Sequence, residues 1–163
     1  MTTGAAVPTA GVRPATESDL TAIESMAAAA VATLGDARGA RMMLARESPP
    51  PDAAALLGRD DAAVLVGVLD DVAVGAGIAH VEQLDADTRL AVVRMLWVDE
   101  EARGVGVGEA LLEGLVAWAR ATGCASIDAY ALPGERITKN FFEAAGFKAR
   151  LLTVSHRLDD PAS

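Results

Sequence analysis

Leu20, Ile23, Ala27, Ala30, Val31 and Leu34 recur at helical spacing behind a threonine, which predicts a helix over about 17–33. Thr16 is its expected N-cap, Asp19 follows three residues later in the first turn, and Gly35 ends it. A very short strand at Val12 and Arg13 precedes it. Residues 36–60 are less regular. They predict a short helix around 38–46 carrying Met42, Met43 and Leu44, a stop at the three prolines, and a second short helix from Asp52 to Leu57. After Ala62 the apolar residues run together in strand-length blocks, 62–69 and 72–82, with Asp70-Asp71 at the place of a tight hairpin turn. "RLAVVRMLWV", residues 89–98, is a third strand beyond the polar turn "DADT". A helix over about 106–121 gathers Leu111, Leu112, Leu115 and Trp118 on one face, and Gly123 caps it. "ASIDAYAL" predicts a strand, "ERITKNFFEAAG" a helix ending at Gly146, and "FKARLLTVSHRL" a last strand. Hairpins in the first half and a strand–helix–strand unit in the second describe one mixed α/β domain.

Length fits that description: 163 residues, 52% of them hydrophobic, can bury one sizeable core. Residues 1–10 are expected to form a disordered lead, 11–159 the domain and 160–163 a tail. No apolar run reaches the roughly 18–20 residues that cross a bilayer, and "MTTGAAVPTAG" lacks the basic start and apolar stretch of a secretory signal. A single cysteine, Cys124, excludes an intramolecular disulfide and a multi-cysteine metal site, so no metal is expected and a cytoplasmic protein is the default. The formal net charge of −9 argues against nucleic acid as a partner, because phosphate binding needs a basic surface. A negative field favours cationic substrates such as amines, and it equally serves solubility.

The segment with most chemical content is "VDEEARGVGVGEALL", residues 98–112. Gly104, Gly106 and Gly108 alternate between a strand and a helix, behind Arg103. It is not a P-loop, which ends in Gly-Lys before Ser or Thr, and the dinucleotide fingerprint G-x-G-x-x-G does not fit its spacing. The first N–H groups of a helix have no intrahelical acceptor and carry the positive end of its dipole. Glycines let an anion approach that backbone, and Arg103 adds a charged donor. A pyrophosphate suits such a loop.

With its flanks, "LWVDEEARGVGVGEALL" resembles the central motif of GNAT-type N-acetyltransferases, and "FFEAAGF" resembles that family's later motif. The resemblance runs from "VRPATESDL" through "FFEAAGF" and implies a mostly antiparallel twisted sheet flanked by helices, with a strand–loop–helix site for acetyl-CoA. It implies that the backbone of Arg103, Gly104, Val105, Gly106, Val107, Gly108 and Glu109 holds the pyrophosphate. Leu96, Trp97 and Val98 would pair with the pantetheine arm as an added strand. A bulge there would leave the Val98 N–H to polarise the thioester carbonyl. The strand of Tyr130 would splay away to open a slot, and Lys139 and Phe142 would lie on the cofactor side. The acceptor would be a primary amine of a small molecule or protein, and a homodimer fits such folds.

The pattern departs from the family at one point. The later helix usually offers a tyrosine that protonates the leaving thiolate, and that place falls on Phe142, with Glu135 seven positions earlier where a polar residue, often asparagine, is common. A thiol of pKa near 8.5 gains only about 2 kcal/mol from protonation at neutral pH, whereas an amine of pKa about 10.4 must give up about 4.6 kcal/mol to lose its proton at pH 7. The base therefore matters more than the acid. Glu82 is the leading base, with His80 and Asp99 as alternatives, and Tyr130 is the substitute acid. Arg94 interrupts an apolar strand and needs either an acceptor carboxylate or an acidic neighbour. A domain of this kind that binds acyl-CoA without turning it over remains the second reading, favoured by Phe142.

Overall fold

The computed structural model describes residues 8–35, 37–47, 51–156 and 158. Five strands form one sheet in the order β1-β2-β3-β4-β5: β1 Ala10–Pro14, β2 Ala62–Leu69, β3 Val72–Gln83, β4 Arg89–Val98 and β5 Ser126–Asp128. The first four pair antiparallel, and β4 and β5 run parallel. The helices are α1 Leu20–Leu34, α2 Ala40–Glu47, α3 Ala53–Leu56, α4 Val107–Ala121 and α5 Arg136–Ala144. The mixed, mostly antiparallel sheet flanked by helices is the architecture expected from the sequence.

The hairpin at Asp70-Asp71 forms as the apolar blocks on either side demand. Both aspartates take positive φ, 49° and 66°, as a two-residue turn that follows the strand twist requires. Ahead of α1, Asp19 does more than cap. Its carboxylate accepts both Nη atoms of Arg13, at 2.7 and 2.8 Å, together with the Thr16 N–H at 2.8 Å. Those donors favour the charged form and hold this buried carboxyl well below the usual aspartate range, with the Arg13 bond the largest cause. The bond ties β1 to the start of α1.

The two faces of the sheet carry different cores. On one face, Ile23 and Met26 of α1 and Ala53 of α3 meet Val64, Val66, Ile78 and Met95. On the other, α4 lies across β1 to β4, with Leu115 fully buried against Ala63, Ala79 and Val93. A Cβ on Gly67 would stand 2.6 Å from Val107 Cγ1, and one on Gly75 3.1 Å from Leu111 Cδ1. The start of α4 therefore rests almost on the backbone of β2 and β3, a closeness that only glycine permits. This fixes where the helix N-terminus points.

Four expectations change. β1 begins at Ala10, inside the expected lead, and residues 1–7 and the tail 160–163 lie outside the described residues. The helix expected over 17–33 opens with a 3-10 turn, Glu17–Asp19, before the α-helix starts at Leu20. β5 stops at Asp128, so Tyr130 lies beyond the strand instead of within it. None of the described residues from 147 to 156 is in a strand; Leu151, Leu152 and Val154 stand 80%, 77% and 84% exposed. Apolar pattern alone does not supply a ladder partner. This segment meets β5 through a side-chain bond from Arg150 to Asp128, not through paired backbones.

Candidate active site

The site is built where β4 hands over to α4. Asp99 donates its N–H to the Val74 carbonyl at 2.8 Å, and Gly75 stands opposite Val98. By the two-residue alternation of an antiparallel ladder, Trp97 then turns its peptide groups to β3, while Leu96 and Val98 turn theirs the other way. The Val98 carbonyl agrees, accepting Arg103 Nε at 2.9 Å on that far side.

Among the described residues, most of that far side has no strand partner. β5 pairs with β4 only at Leu90, Ala91 and Val92, through Ser126, Ile127 and Asp128. Among the described residues no strand follows β4 on this side beyond Val92, which leaves residues 93–98, about 20 Å of strand edge, bordering a wedge. The Val98 N–H faces this wedge because of strand alternation. The bulge expected beside it lies elsewhere: Ile78 pairs with Met95 but Ala79 pairs with Val93, so Arg94 is the extra residue. This accounts for a charge inside an apolar strand. The bulge carries Arg94 to a cavity of ≈ 290 Å³ beside His80, Asp61 and Leu56.

At the wide end of the wedge stands the α4 N-terminus. Gly104 and Gly106 take φ of 78° and 92°, a left-handed conformation that turns the chain from the short 3-10 segment after Val98 into the helix. The first hydrogen bond of α4 runs from Ala110 N–H to Gly106 C=O at 3.0 Å, so the N–H groups of Val107, Gly108 and Glu109 before it have no acceptor in the helix. A Cβ on Gly104 would meet nothing within 4 Å, and one on Gly108 would lie 3.7 Å from Val98 Cγ2. The amides without a helix acceptor and the unpaired strand edge are thus neighbours.

The remaining candidates divide. Arg103 turns back onto the strand end, its guanidinium 4.8 Å from the Trp97 ring centroid and 3.9 Å from Glu100. Lys139 pairs with Glu143 at 2.9 Å along α5. Phe142 packs edge-on against Phe141 at 5.4 Å between ring centroids and at a tilt against Phe147 at 5.3 Å, while a Cβ placed on Gly108 would lie 3.4 Å from the Phe141 ring. α5 therefore backs the loop with aromatic rings. Glu82 stands opposite Leu90, at the narrow end, with His80 Nε2 3.3 Å from its Oε1; His80 stands opposite Val92. Tyr130, half-exposed, follows β5 two residues past Asp128. Asp99 accepts the Trp97 indole N–H at 3.2 Å, which orients the ring under Arg103. The His80–Glu82 pairing was legible as an i,i+2 pair on one strand face. The Arg94 bulge had no sequence signal beyond the misplaced charge.

A family model described as the acetyltransferase (GNAT) family matches residues 32–147. The chain belongs to this acetyltransferase family. The GNAT fold is likewise what solved structures share with it. AAC(6')-Iy, in complex with the bisubstrate analogue CoA-S-monomethyl-acetylneamine, superposes with a TM-score of 0.69 at 18% identity, over 91% of this chain and 97% of that one. Glucosamine-6-phosphate N-acetyltransferase from Arabidopsis thaliana gives 0.62 at 18%, over 93% and 99%. A transcriptional regulator from Bacillus halodurans C-125 gives 0.68 at 22%, over 92% and 100%. At such identities the likeness is one of fold. No match was found among curated proteins compared by sequence. No helix among the described residues is long and apolar enough to cross a membrane.

Proposed function

We propose that this GNAT domain is an N-acetyltransferase that moves an acetyl group from acetyl-CoA to a primary amine by direct attack. One observation carries the reading: the acceptor-less amides of Val107, Gly108 and Glu109 open beside the bare edge of β4, so a diphosphate site and a strand-like groove are continuous. The backbone from Arg103 to Glu109 holds the diphosphate. Leu96 and Val98 offer peptide groups to the amide-bearing arm, which lies along them as an added strand, and Trp97 and Phe142 form apolar walls. Acetyl-CoA supplies the activated thioester; the chain supplies its grip, its orientation and a base for the amine.

Charge supports a cationic acceptor. A net −9 raises the local concentration of ammonium groups, while the helix N-terminus offsets that field where the diphosphate sits. Pro51, Leu56 and Arg59, from the irregular stretch before β2, border the cavity that holds His80 and Arg94. This supports amine access from that side. Phe142 is the observation behind the alternative, an acyl-CoA-binding module without turnover, since it has no proton to give. Calorimetry with acetyl-CoA, followed by chromatographic measurement of CoA release over a panel of amines, tests both. Release with any amine supports the transferase; tight binding with no release over the whole panel supports the module; no binding at millimolar acetyl-CoA removes both.

A further inference from the structure

We infer that His80, held by Glu82, is the base that takes the proton from the attacking amine, and that the reacting thioester carbon lies at the Val93–Arg94 bulge. The inference rests on the acetyl-CoA reading above and deepens it. Its ruler is the length of the arm. Between the diphosphate and the sulfur a pantetheine chain spans about twelve bonds, or about 15 Å when extended, at the spacing typical of an amide chain. At about 3.3 Å per strand residue this equals four to five positions of β4. Starting at Val98, beside the α4 amides, the arm ends at Val93 and Arg94.

Three independent features meet there. β5 leaves β4 just after Val92, so the wedge narrows to its apex. The bulge at Arg94 breaks the ladder between β3 and β4, which exposes backbone at the same level. His80, directly across β4 from the apex, opposite Val92, lines the ≈ 290 Å³ cavity with Arg94. Glu82, opposite Leu90, is two residues further from the arrival point, about 7 Å along the strand. Of the pair, His80 is the nearer to the end of the arm and the one that shares the cavity with Arg94.

Glu82 Oε1 lies 3.3 Å from His80 Nε2, so the carboxylate accepts that N–H and leaves Nδ1 with the lone pair. Asp61 and Arg59, bound to each other at 2.8 Å, and Arg94 are the other charged groups around the cavity. In the step, His80 accepts the proton given up by the amine, the amine nitrogen bonds to the thioester carbon, and the C–S bond breaks with the sulfur leaving as thiolate. Val98 then serves the arm and not the reacting carbonyl.

Bromoacetyl-CoA tests this placement without knowledge of the acceptor, because its reactive CH2 sits next to the thioester carbon. An imidazole nitrogen that reaches it displaces bromide and stays alkylated. The full chain is incubated with the reagent, digested and mapped by mass spectrometry, with calorimetry on CoA in parallel. Labelling of His80 that excess CoA prevents is the expected result, and His80→Gln should abolish it. CoA-protected labelling of Tyr130, Lys139 or Cys124 in place of His80, or none despite measurable CoA binding, overturns the inference and leaves the transferase reading standing. Absence of CoA binding removes both. For Glu82 the readout is saturation kinetics. Glu82→Gln should lower the maximal labelling rate about tenfold, the scale of one hydrogen bond to a charged group, with the half-saturating reagent concentration unchanged. An unchanged maximal rate removes Glu82 from the pair.

Discussion

Gly67→Ala probes how the sheet sets the position of the α4 N-terminus. The added Cβ would lie 2.6 Å from Val107 Cγ1 and 3.0 Å from Leu111 Cδ1, where carbon pairs at rest stand about 3.5–4.0 Å apart. Neither neighbour can swing aside. Val107 is β-branched and stiff within a helix, and Leu111 is fully buried. The first turns of α4 must therefore lift by about 1 Å to restore ordinary contact. Overpacking of this kind costs about 1–3 kcal/mol, and removing a strand glycine returns about 0.5–1 kcal/mol, so a net loss of about 1–2 kcal/mol is expected. For a chain of this size that is a fall in Tm of about 2–8 °C. The same lift moves the amides of Val107, Gly108 and Glu109 relative to Val98, so acetyl-CoA affinity should fall together with stability. Gly123→Ala is the control: its φ is +76° with nothing within 4 Å, so it should cost stability through backbone strain while leaving affinity alone. Urea unfolding and calorimetry on both variants decide the matter. Unchanged affinity and stability in Gly67→Ala would refute the claim that the strand glycines set the helix position.

Leu115→Ala empties a fully buried position against Ala63, Ala79 and Val93 and should cost about 2–5 kcal/mol by urea unfolding. Asp19 is charged at lower pH when folded than when unfolded, so its bond to Arg13 contributes fully above the ordinary aspartate pKa of about 3.9 and fades as pH falls below it. Asp19→Asn should therefore lower stability at pH 7 and flatten that part of the acid limb, measured as urea midpoints against pH. Arg103→Ala removes a hydrogen bond to the Val98 carbonyl and the cation over Trp97, for a loss of about 1 kcal/mol and a red-shifted Trp97 emission. Phe142→Tyr, assayed by CoA release on an accepted amine, should leave acetyl-CoA affinity unchanged and raise kcat, bounded by the about 2 kcal/mol that thiol protonation offers.

The hairpins and α4 were legible because each carries its own local evidence. Continuous apolar runs flank Asp70-Asp71, and Leu111, Leu112 and Leu115 recur on one face of the helix. The glycine loop was legible for the same reason, since strand, turn and helix start lie within a dozen residues. What escaped depends on partners distant in sequence. Residues 147–158 have the composition of a strand, yet a ladder needs a neighbour that composition cannot name. The close approach of α4 to Gly67 and Gly75 joins residues far apart in the chain, so neither strand announces it. The bulge at Arg94 is a mismatch between β3 and β4 and belongs to neither alone. The order of Glu82 and His80 along β4 is of the same kind: the sequence put Glu82 first as base, and only the cross-strand pairing with Leu90 and Val92 shows which of the two stands nearer Arg94.

Backbone amide NMR during a CoA titration tests the central claim most directly. The account predicts that the largest 15N–1H shifts fall on Val107, Gly108 and Glu109 at the start of α4, with Leu96 and Val98 following along the open edge. Saturable shifts elsewhere, with those three amides still, would contradict it.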